Sequence, residues 1–252
     1  MTENGRLADD WLIPDWPAPT NIRACVTTRH GGVSQAPYAS LNLGDHVGDV
    51  ADAVARNRQY VREKLNLPAE PIWLNQVHSA QVINADTVAA TPPQADASYS
   101  TRPDAVCAVL TADCLPVLYC DRDGTQIAAA HAGWRGLAAG VLENTVNSFS
   151  CNPEEVLAWL GPAIGPHAFE VGEEVVSSFV QADAQANAAF TQRDETHWLA
   201  DIYLLARLRL QRAGVTHIAG GGYCTFTDAQ RFFSYRRDQQ TGRMASLIWF
   251  VE

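Results

Sequence analysis

Short apolar runs bounded by Asp, Pro or Gly crowd the middle of this chain, and they constrain its fold more than any other feature. Runs of four to eight residues that end at turn-forming residues are typical of buried strands. We therefore predict strands at 106–111, 115–120, 127–130 and 156–160.

The flanking segments add helices between further strands. Apolar residues at 50, 54, 61 and 65, separated by charged ones, predict an amphipathic helix over 49–65, and the turn-rich segment 29–48 predicts a long loop. Similar patterns predict strands at 22–28, 72–77, 216–219 and 245–251, and helices at 136–149, 173–182 and 199–213.

The order of these elements indicates the fold class. Helices and strands alternate without a strict βαβ rhythm, and no repeat or linker divides the chain. We therefore predict an α+β fold: one domain over 1–252, with layered mixed β-sheets flanked by helices and a partly irregular segment at 1–20.

Charge and hydropathy limit the classes of partner that this chain is expected to bind. Eighteen basic and 28 acidic residues give a net charge of -10, which argues against nucleic acid as a partner. The longest apolar stretch contains Asp113 and Pro116 and falls short of a membrane span, and the polar first ten residues do not resemble a secretory signal. We expect a cytoplasmic protein that acts on small molecules. Its six cysteines form no CxxC pair and are expected to be thiols.

Three residues at the ends of predicted strands form a candidate metal site: His78, Cys114 and His131. Two imidazoles and a thiolate suit zinc, and three protein ligands leave a position open for water or substrate. The spacings of 36 and 17 residues are not those of a zinc finger. Spacing alone therefore fits a buried thiol with two hydrogen-bonded histidines at least as well.

Two glycine-containing turns are candidate anion sites. In HAGWRG, the backbone N–H groups of 133–136 and the side chain of Arg135 could face an anion. In TTRHGGVS, Arg29 lies beside a Gly pair after a predicted strand. A tight turn that needs glycine, or an exposed arginine with no ligand, explains each pattern equally well.

A series of motifs identifies a relationship. In order and spacing the chain resembles the laccase-domain (YfiH-like) family from about residue 24 to its C-terminal end, through TTRHGGVS, SLNLG, NQVH, ADCLPV, HAGWRG, GPAIG, the CT of YCTF, FFSYRRD and TGRMA. The resemblance implies a layered α+β fold. It also implies metal ligands at the His of QVH, the Cys of ADC and the His of HAGWRG, which are again His78, Cys114 and His131.

The resemblance implies several activities. Members of the family are described as copper polyphenol oxidases, as zinc-dependent enzymes of purine nucleoside phosphorolysis and adenosine deamination, and as peptidoglycan editing factors. Seven scattered histidines without an HxH pair, and only two methionines, favour zinc over a multicopper or blue-copper site. We therefore expect a zinc-dependent purine nucleoside enzyme that cleaves adenosine or inosine with phosphate and also deaminates adenosine. Copper with phenol oxidation, a Cys114 nucleophile with His131 or His78 as base, and a non-enzymatic editing factor remain alternatives.

Roles follow for individual residues under the nucleoside hypothesis. Asp113, adjacent to Cys114, is the candidate proton shuttle, and arginines are the candidate phosphate ligands. We expect catalytic roles for Cys114, Asp113 and Arg29, and substrate contacts from Arg135, Arg236, Gln76 and Asn42.

Overall fold

The computed structural model describes residues 11–87 and 92–251. Its strands are β1 (Ile22–Val26), β2 (Val82–Asn84), β3 (Ala97–Ser100), β4 (Val106–Thr111), β5 (Leu115–Asp121), β6 (Ile127–Ala132), β7 (Val156–Leu160), β8 (Glu170–Gly172), β9 (Phe190–Gln192), β10 (His197–Ala200), β11 (His217–Gly220) and β12 (Met244–Phe250). Its α-helices are α1 (Ala51–Leu65), α2 (Trp134–Ala139), α3 (Val141–Val146), α4 (Glu173–Val180), α5 (Ile202–Arg212) and α6 (Tyr235–Asp238). Short 3₁₀ helices lie at Ala85–Thr87, Pro153–Glu155 and Ala184–Ala189.

A mixed six-stranded sheet forms the centre of the fold. Its strand order is β11-β7-β5-β6-β3-β2, with antiparallel pairs in the middle and a parallel pair at each edge. All seven residues of β5 are buried, so both faces of this strand are covered. That double burial explains why its sequence is apolar almost without interruption.

The strand that precedes β5 belongs to another sheet. β4 pairs with β12, which pairs with β1, in a three-stranded antiparallel sheet. Only three residues, Ala112 to Cys114, connect β4 to β5. The chain therefore passes from one sheet to the other at the position of Cys114.

Alternating side chains of these strands build three apolar layers. Leu118 and Cys120 of β5 pack between the sheets, with Cys107 and Val109 of β4. The opposite face of β5 packs against α2, α3 and α5, and the opposite face of β4 packs against α1. The molecule is thus a layered α+β structure, as predicted, with helices outside two stacked sheets. A small sheet, β8-β10-β9, lies on the helical side beside α4.

Most predicted strands agree with the structure. The strands at 106–111 and 156–160 have the predicted bounds, and those at 115–120 and 127–130 are slightly longer. The first predicted strand ends at Val26 rather than residue 28.

The predicted strand at 72–77 is wrong. Ile72 and Asn75 form only isolated bridges, to Cys107 and Gln94. The amide side chain of Gln76 replaces a strand pair, because it donates to the carbonyl of Leu110 at 2.8 Å and accepts from the Leu110 N–H at 2.7 Å. An apolar run beside a sheet edge can therefore lack a regular ladder.

Two predicted helices are longer than the helices in the structure. The helix at 136–149 divides into α2 and α3 at Gly140, whose φ of 97° ends one helix and begins the next. The helix at 199–213 begins only at Ile202, because the Asp201 carboxylate caps the N–H of Leu204. Residues 197–200 form β10 instead.

The N-terminal prediction is testable only in part. Residues 1–10 lie outside the described residues, whereas 11–20 are irregular apart from a bridge between Leu12 and Val26. Among the described helices, none combines the length and hydropathy that crossing a bilayer requires.

Candidate metal centre

Three side chains far apart in sequence meet at one end of the stacked sheets. The ligand atoms of His78, Cys114 and His131 all lie within 4.8 Å of one another. The Cys114 Sγ lies 3.8 Å from the His78 Nε2, and the two imidazole centroids are 4.8 Å apart. Within residues 11–87 and 92–251, this is the only cluster of His, Cys, Asp or Glu close enough to hold a metal ion.

Each of the three residues is positioned by a different kind of segment. His131 is the fifth residue of the central strand β6 and is 3% exposed. Cys114 lies in the connection between the two sheets and is half-buried. His78 is exposed and follows the irregular segment that was predicted to be a strand. The site therefore combines a rigid buried ligand with one that faces solvent.

A buried carboxylate that the sequence analysis missed, that of Asp96, orients the ring of His131. Asp96 is fully buried, and its Oδ1 lies 2.8 Å from the Nδ1 of His131. A proton on Nδ1 donates to this carboxylate and leaves Nε2 free as a ligand atom. Metal-binding histidines commonly have such a carboxylate partner, which fixes the tautomer and the ring orientation.

The Asp96 carboxylate also fixes the backbone at His78. Asp96 accepts hydrogen bonds from the N–H groups of Val77, His78 and Ser79, at 3.3, 2.9 and 2.6 Å, and from the Ser79 hydroxyl at 2.8 Å. These bonds hold His78 at a φ of 61°, a conformation that is uncommon for a residue other than glycine. One side chain thus positions two of the three candidate ligands.

The charges of the site favour ionised groups. Burial alone would raise the pKa of Asp96, but hydrogen bonds from His131 and Ser79 outweigh it and lower this pKa to about 2. Burial would also raise the pKa of the Cys114 thiol, yet the charge and hydrogen bond of His131 lower it below the ordinary value. The thiol is therefore disposed to be a thiolate, the form that binds metals.

The space beside the ligands depends on a glycine. A Cβ at Gly133 would lie 2.7 Å from the His78 Cδ2 and 3.1 Å from the Cys114 Sγ. Since the φ of Gly133 is -63°, a side chain is excluded here by the two ligands and not by the backbone. Two imidazoles and a thiolate with this space between them fit a zinc or copper ion, so the donor set suits the group that the family implies.

The predicted proton shuttle has another set of contacts. One carboxylate oxygen of Asp113 accepts from the Thr225 hydroxyl at 2.6 Å, and the other accepts from the backbone N–H of Arg236 at 2.7 Å. Asp113 also has a φ of 97°. These contacts position the turn before Cys114, and its role in proton transfer stays a prediction.

The predicted phosphate ligands are unequally available. The guanidinium of Arg29 donates to the carbonyls of Ala39 and Ala229. Both Nη atoms of Arg236 donate to the carbonyl of Glu170. Arg135 is exposed and lies 4.4 Å above the Trp134 ring. Arg29 and Arg236 thus each bind the backbone of another segment with part of their N–H groups, and Arg135 alone of the three has no hydrogen bond among the described residues.

The two amides that were predicted to contact substrate bind groups of the protein itself. Asn42 is fully buried: its Nδ2 donates to Gly44 and Asp49, and its Oδ1 accepts from the N–H groups of Gly44 and Arg243. All four hydrogen-bonding positions of this amide are occupied, so it has none left for a substrate. Gln76 is likewise held against β4. The predicted substrate contact of Asn42 therefore finds no free donor or acceptor, whereas that of Gln76 stays a prediction.

Comparison with known proteins places the chain in a family. Residues 23–251 match the family described as multi-copper polyphenol oxidoreductase laccase. The chain is 58% identical to the Escherichia coli protein named purine nucleoside phosphorylase YfiH over 240 residues, which is 95% of this chain and 98% of the relative. It is also 58% identical to the Pseudomonas aeruginosa purine nucleoside phosphorylase PA4543, over 96% of this chain and 99% of the relative.

Solved structures agree with this match. The Neisseria meningitidis protein NMB0706 is 53% identical and superposes with a TM-score of 0.93, over 96% of this chain and 99% of that one. YlmD from Geobacillus stearothermophilus is 32% identical with a TM-score of 0.92, over 98% of both chains. Similarity this extensive covers the two sheets as well as the segments that carry the candidate ligands. The chain therefore belongs to the multi-copper polyphenol oxidoreductase laccase family, as its motifs indicated.

Proposed function

We propose that this protein is a zinc-dependent purine nucleoside phosphorylase that also deaminates adenosine. The observation that carries the proposal is the convergence of His78, Cys114 and His131 in a chain 58% identical to proteins named purine nucleoside phosphorylase. The substrates would be small: a nucleoside and inorganic phosphate. A free nucleoside carries no phosphate, so a net charge of -10 does not repel it.

The reaction divides into bond changes that the site must support. In phosphorolysis a phosphate oxygen bonds to C1′ of the ribose while the bond from C1′ to the purine nitrogen breaks. The electron pair leaves with the base, which takes up a proton, and ribose 1-phosphate is the second product. In deamination, water adds to C6 of adenine and ammonia leaves.

The chain's own residues would prepare the site for this chemistry. His78, Cys114 and His131 would hold the zinc ion, which when bound supplies a Lewis acid with an open position. Asp96 keeps His131 in one tautomer and fixes the backbone at His78. Gly133 leaves space beside the ligands. The exposed side of His78 would admit the nucleoside.

Copper-dependent phenol oxidation has less support from the described residues. A multicopper oxidase needs further clusters of ligands beyond the single one found in the described part of the chain. A blue-copper site commonly takes a weak axial Met, but Met244 is fully buried and its sulfur accepts a hydrogen bond from the N–H of Phe233 at 3.1 Å. Zinc is therefore the metal that we propose.

One observation favours a second candidate function, a thiol nucleophile. Cys114, His131 and Asp96 form a sequence of thiol, imidazole and carboxylate that resembles the arrangement in cysteine hydrolases. In such an enzyme iodoacetamide would inactivate the metal-free protein while a chelator would not. A zinc enzyme gives the opposite dependence on the chelator.

Metal content is the first test of the proposal. Protein purified without chelators should contain about one zinc ion per chain, and Cys114→Ser and His131→Ala should each lose most of it, because each removes one of three ligands. Elemental analysis measures this directly. Full zinc occupancy in both variants would contradict the ligand assignment.

Substrate turnover is the second test. Zinc-loaded protein incubated with inosine and phosphate should yield hypoxanthine and ribose 1-phosphate, and adenosine alone should yield inosine. Chromatography should show that base release requires phosphate and that both reactions require the metal. Oxidation of a phenol with copper, without consumption of either nucleoside, would instead support the oxidase.

A further inference from the structure

An arginine outside the predicted set lies on the strand partner of the segment that carries Cys114. Arg243 immediately precedes β12, whose first residue, Met244, pairs with Thr111 at the end of β4. The residues after Thr111 are Ala112, Asp113 and Cys114, so the backbone of Arg243 runs beside the segment that carries the candidate thiolate ligand. The Arg243 N–H donates to Asn42 at 2.9 Å, which fixes this position.

The guanidinium of Arg243 donates only some of its N–H groups to the protein. Its Nη1 donates to the carbonyls of Thr241 and Gly242, both at 3.0 Å, and its Cζ lies 5.9 Å from the centre of the Tyr235 ring. A guanidinium has five N–H groups. In the described structure no hydrogen bond from its Nε or Nη2 and no ion pair to a carboxylate is found, so three N–H groups remain available.

The surroundings of this cation favour an anionic partner. The side chain is half-buried and packs against Gly44, where an added Cβ would lie 2.8 Å from its Cγ. Burial lowers the pKa of Arg243, and the negative charges of Cys114 and Asp113 only partly oppose that effect. A partly desolvated cation without an ion-pair partner is costly, and an oxyanion would supply the missing hydrogen bonds.

We propose that Arg243 binds the inorganic phosphate that attacks the nucleoside. This assignment rests on the proposed phosphorylase function and adds Arg243 to the earlier candidates Arg29 and Arg236, which also donate to backbone carbonyls. The planar fork of the guanidinium suits two phosphate oxygens. Its side chain is near enough to Cys114 for the two charges to attract, so a phosphate bound there would lie near the candidate metal ligands. Adenosine deamination takes no phosphate, so it should not depend on this contact.

Kinetics with Arg243→Lys and Arg243→Gln test the assignment. We expect the KM for phosphate to rise at least about tenfold in both variants, the loss expected for a charge-assisted bidentate contact. The KM for inosine and the deamination of adenosine should change by less than about twofold. The control is Arg56→Ala, which removes an exposed arginine of α1 that pairs with Asp52.

Separate outcomes distinguish the two levels of the proposal. An unchanged KM for phosphate in both folded variants, with melting temperatures near that of the parent, would overturn the role of Arg243 and leave the phosphorylase intact. Parent protein that consumes no nucleoside would overturn the function itself. Calorimetric titration with inorganic phosphate tests the site without turnover: binding to the parent but not to Arg243→Gln supports it, and equal binding to both overturns it.

Discussion

At the scale of single residues, the candidate site depends on side chains that would not touch a substrate. Asp96 contacts His131 through its ring and His78 through its backbone, and Gly133 leaves the space between the ligands. Neither residue could be assigned from its type. An aspartate between two alanines, or a glycine before a helix, occurs in many proteins without any role in a metal site.

Replacement of Asp96 by Asn should weaken metal binding. The amide keeps the shape but removes the charge that favours the Nδ1–H tautomer of His131, and we expect metal affinity to fall about 10- to 100-fold. Competition with a chromogenic chelator measures the change. Asp121→Asn is the matched control, because Asp121 is also buried and binds the backbone of Thr125 and Gln126 at the other end of β5. An equal loss of affinity in both variants would mean that Asp96 acts only through stability.

Gly133→Ala should displace a ligand without straining the backbone. The new methyl would overlap the ring of His78 and approach the sulfur of Cys114, whereas the φ of Gly133 suits alanine. We expect the variant to lose most of its bound metal. After cobalt is substituted for zinc, its absorption spectrum should differ from that of the cobalt-substituted parent. Parent-like occupancy and spectrum would show that the ligand atoms do not lie as close as the structure places them.

At the scale of elements, apolar continuity predicted the long buried strands and missed several short ones. β4, β5 and β7 are covered on both faces, so their sequences carry an unbroken signal. β2, β8 and β9 are three residues long, and pairing with a neighbour defines them more than composition does. The run at 72–77 resembled a strand because its apolar side chains pack beside the sheets without joining a ladder.

In the candidate site, the metal ligands could be predicted from the sequence, whereas the substrate contacts could not. Motif order identified the three candidate ligands, because their residue types are chemically specific. Asn42, Gln76 and Arg236 are predicted to contact substrate because a polar side chain looks the same whether it binds a ligand or the protein's own backbone. Only the folded structure shows which groups of the protein these side chains bind.

The break between α2 and α3 gives a prediction about stability. Gly140 has a φ of 97°, and a Cβ there would meet its nearest neighbours, Glu143 and Arg209, only at 3.7 and 3.8 Å. The cost of Gly140→Ala is therefore conformational, about 1 kcal/mol, and should lower the Tm by about 2–4 °C. Gly140→Asn should lose less, since Asn tolerates this conformation better. Calorimetry checks the order, and an alanine variant as stable as the parent would mean that α2 and α3 can merge.

At the scale of the whole molecule, the two stacked sheets meet at the candidate site. The chain crosses from β4 to β5 through Ala112 to Cys114, and β6 brings His131 to the same end. Most of the residues that build the site belong to strands or to the turns between them. A framework of this kind holds side chains more precisely than long loops do.

The crossing at Cys114 has a consequence for how the protein opens. Because one ligand lies on the link between the sheets and another lies within the six-stranded sheet, an ion held by both would resist any sliding of one sheet over the other. Amide protons of β4 and β5 should then exchange with deuterium more slowly when zinc is bound, while those of the peripheral strand β9 should exchange at the same rate with and without it. Mass spectrometry of the zinc-loaded and chelated protein would resolve the difference, and uniform protection across all strands would mean that the ion stabilises the fold only globally.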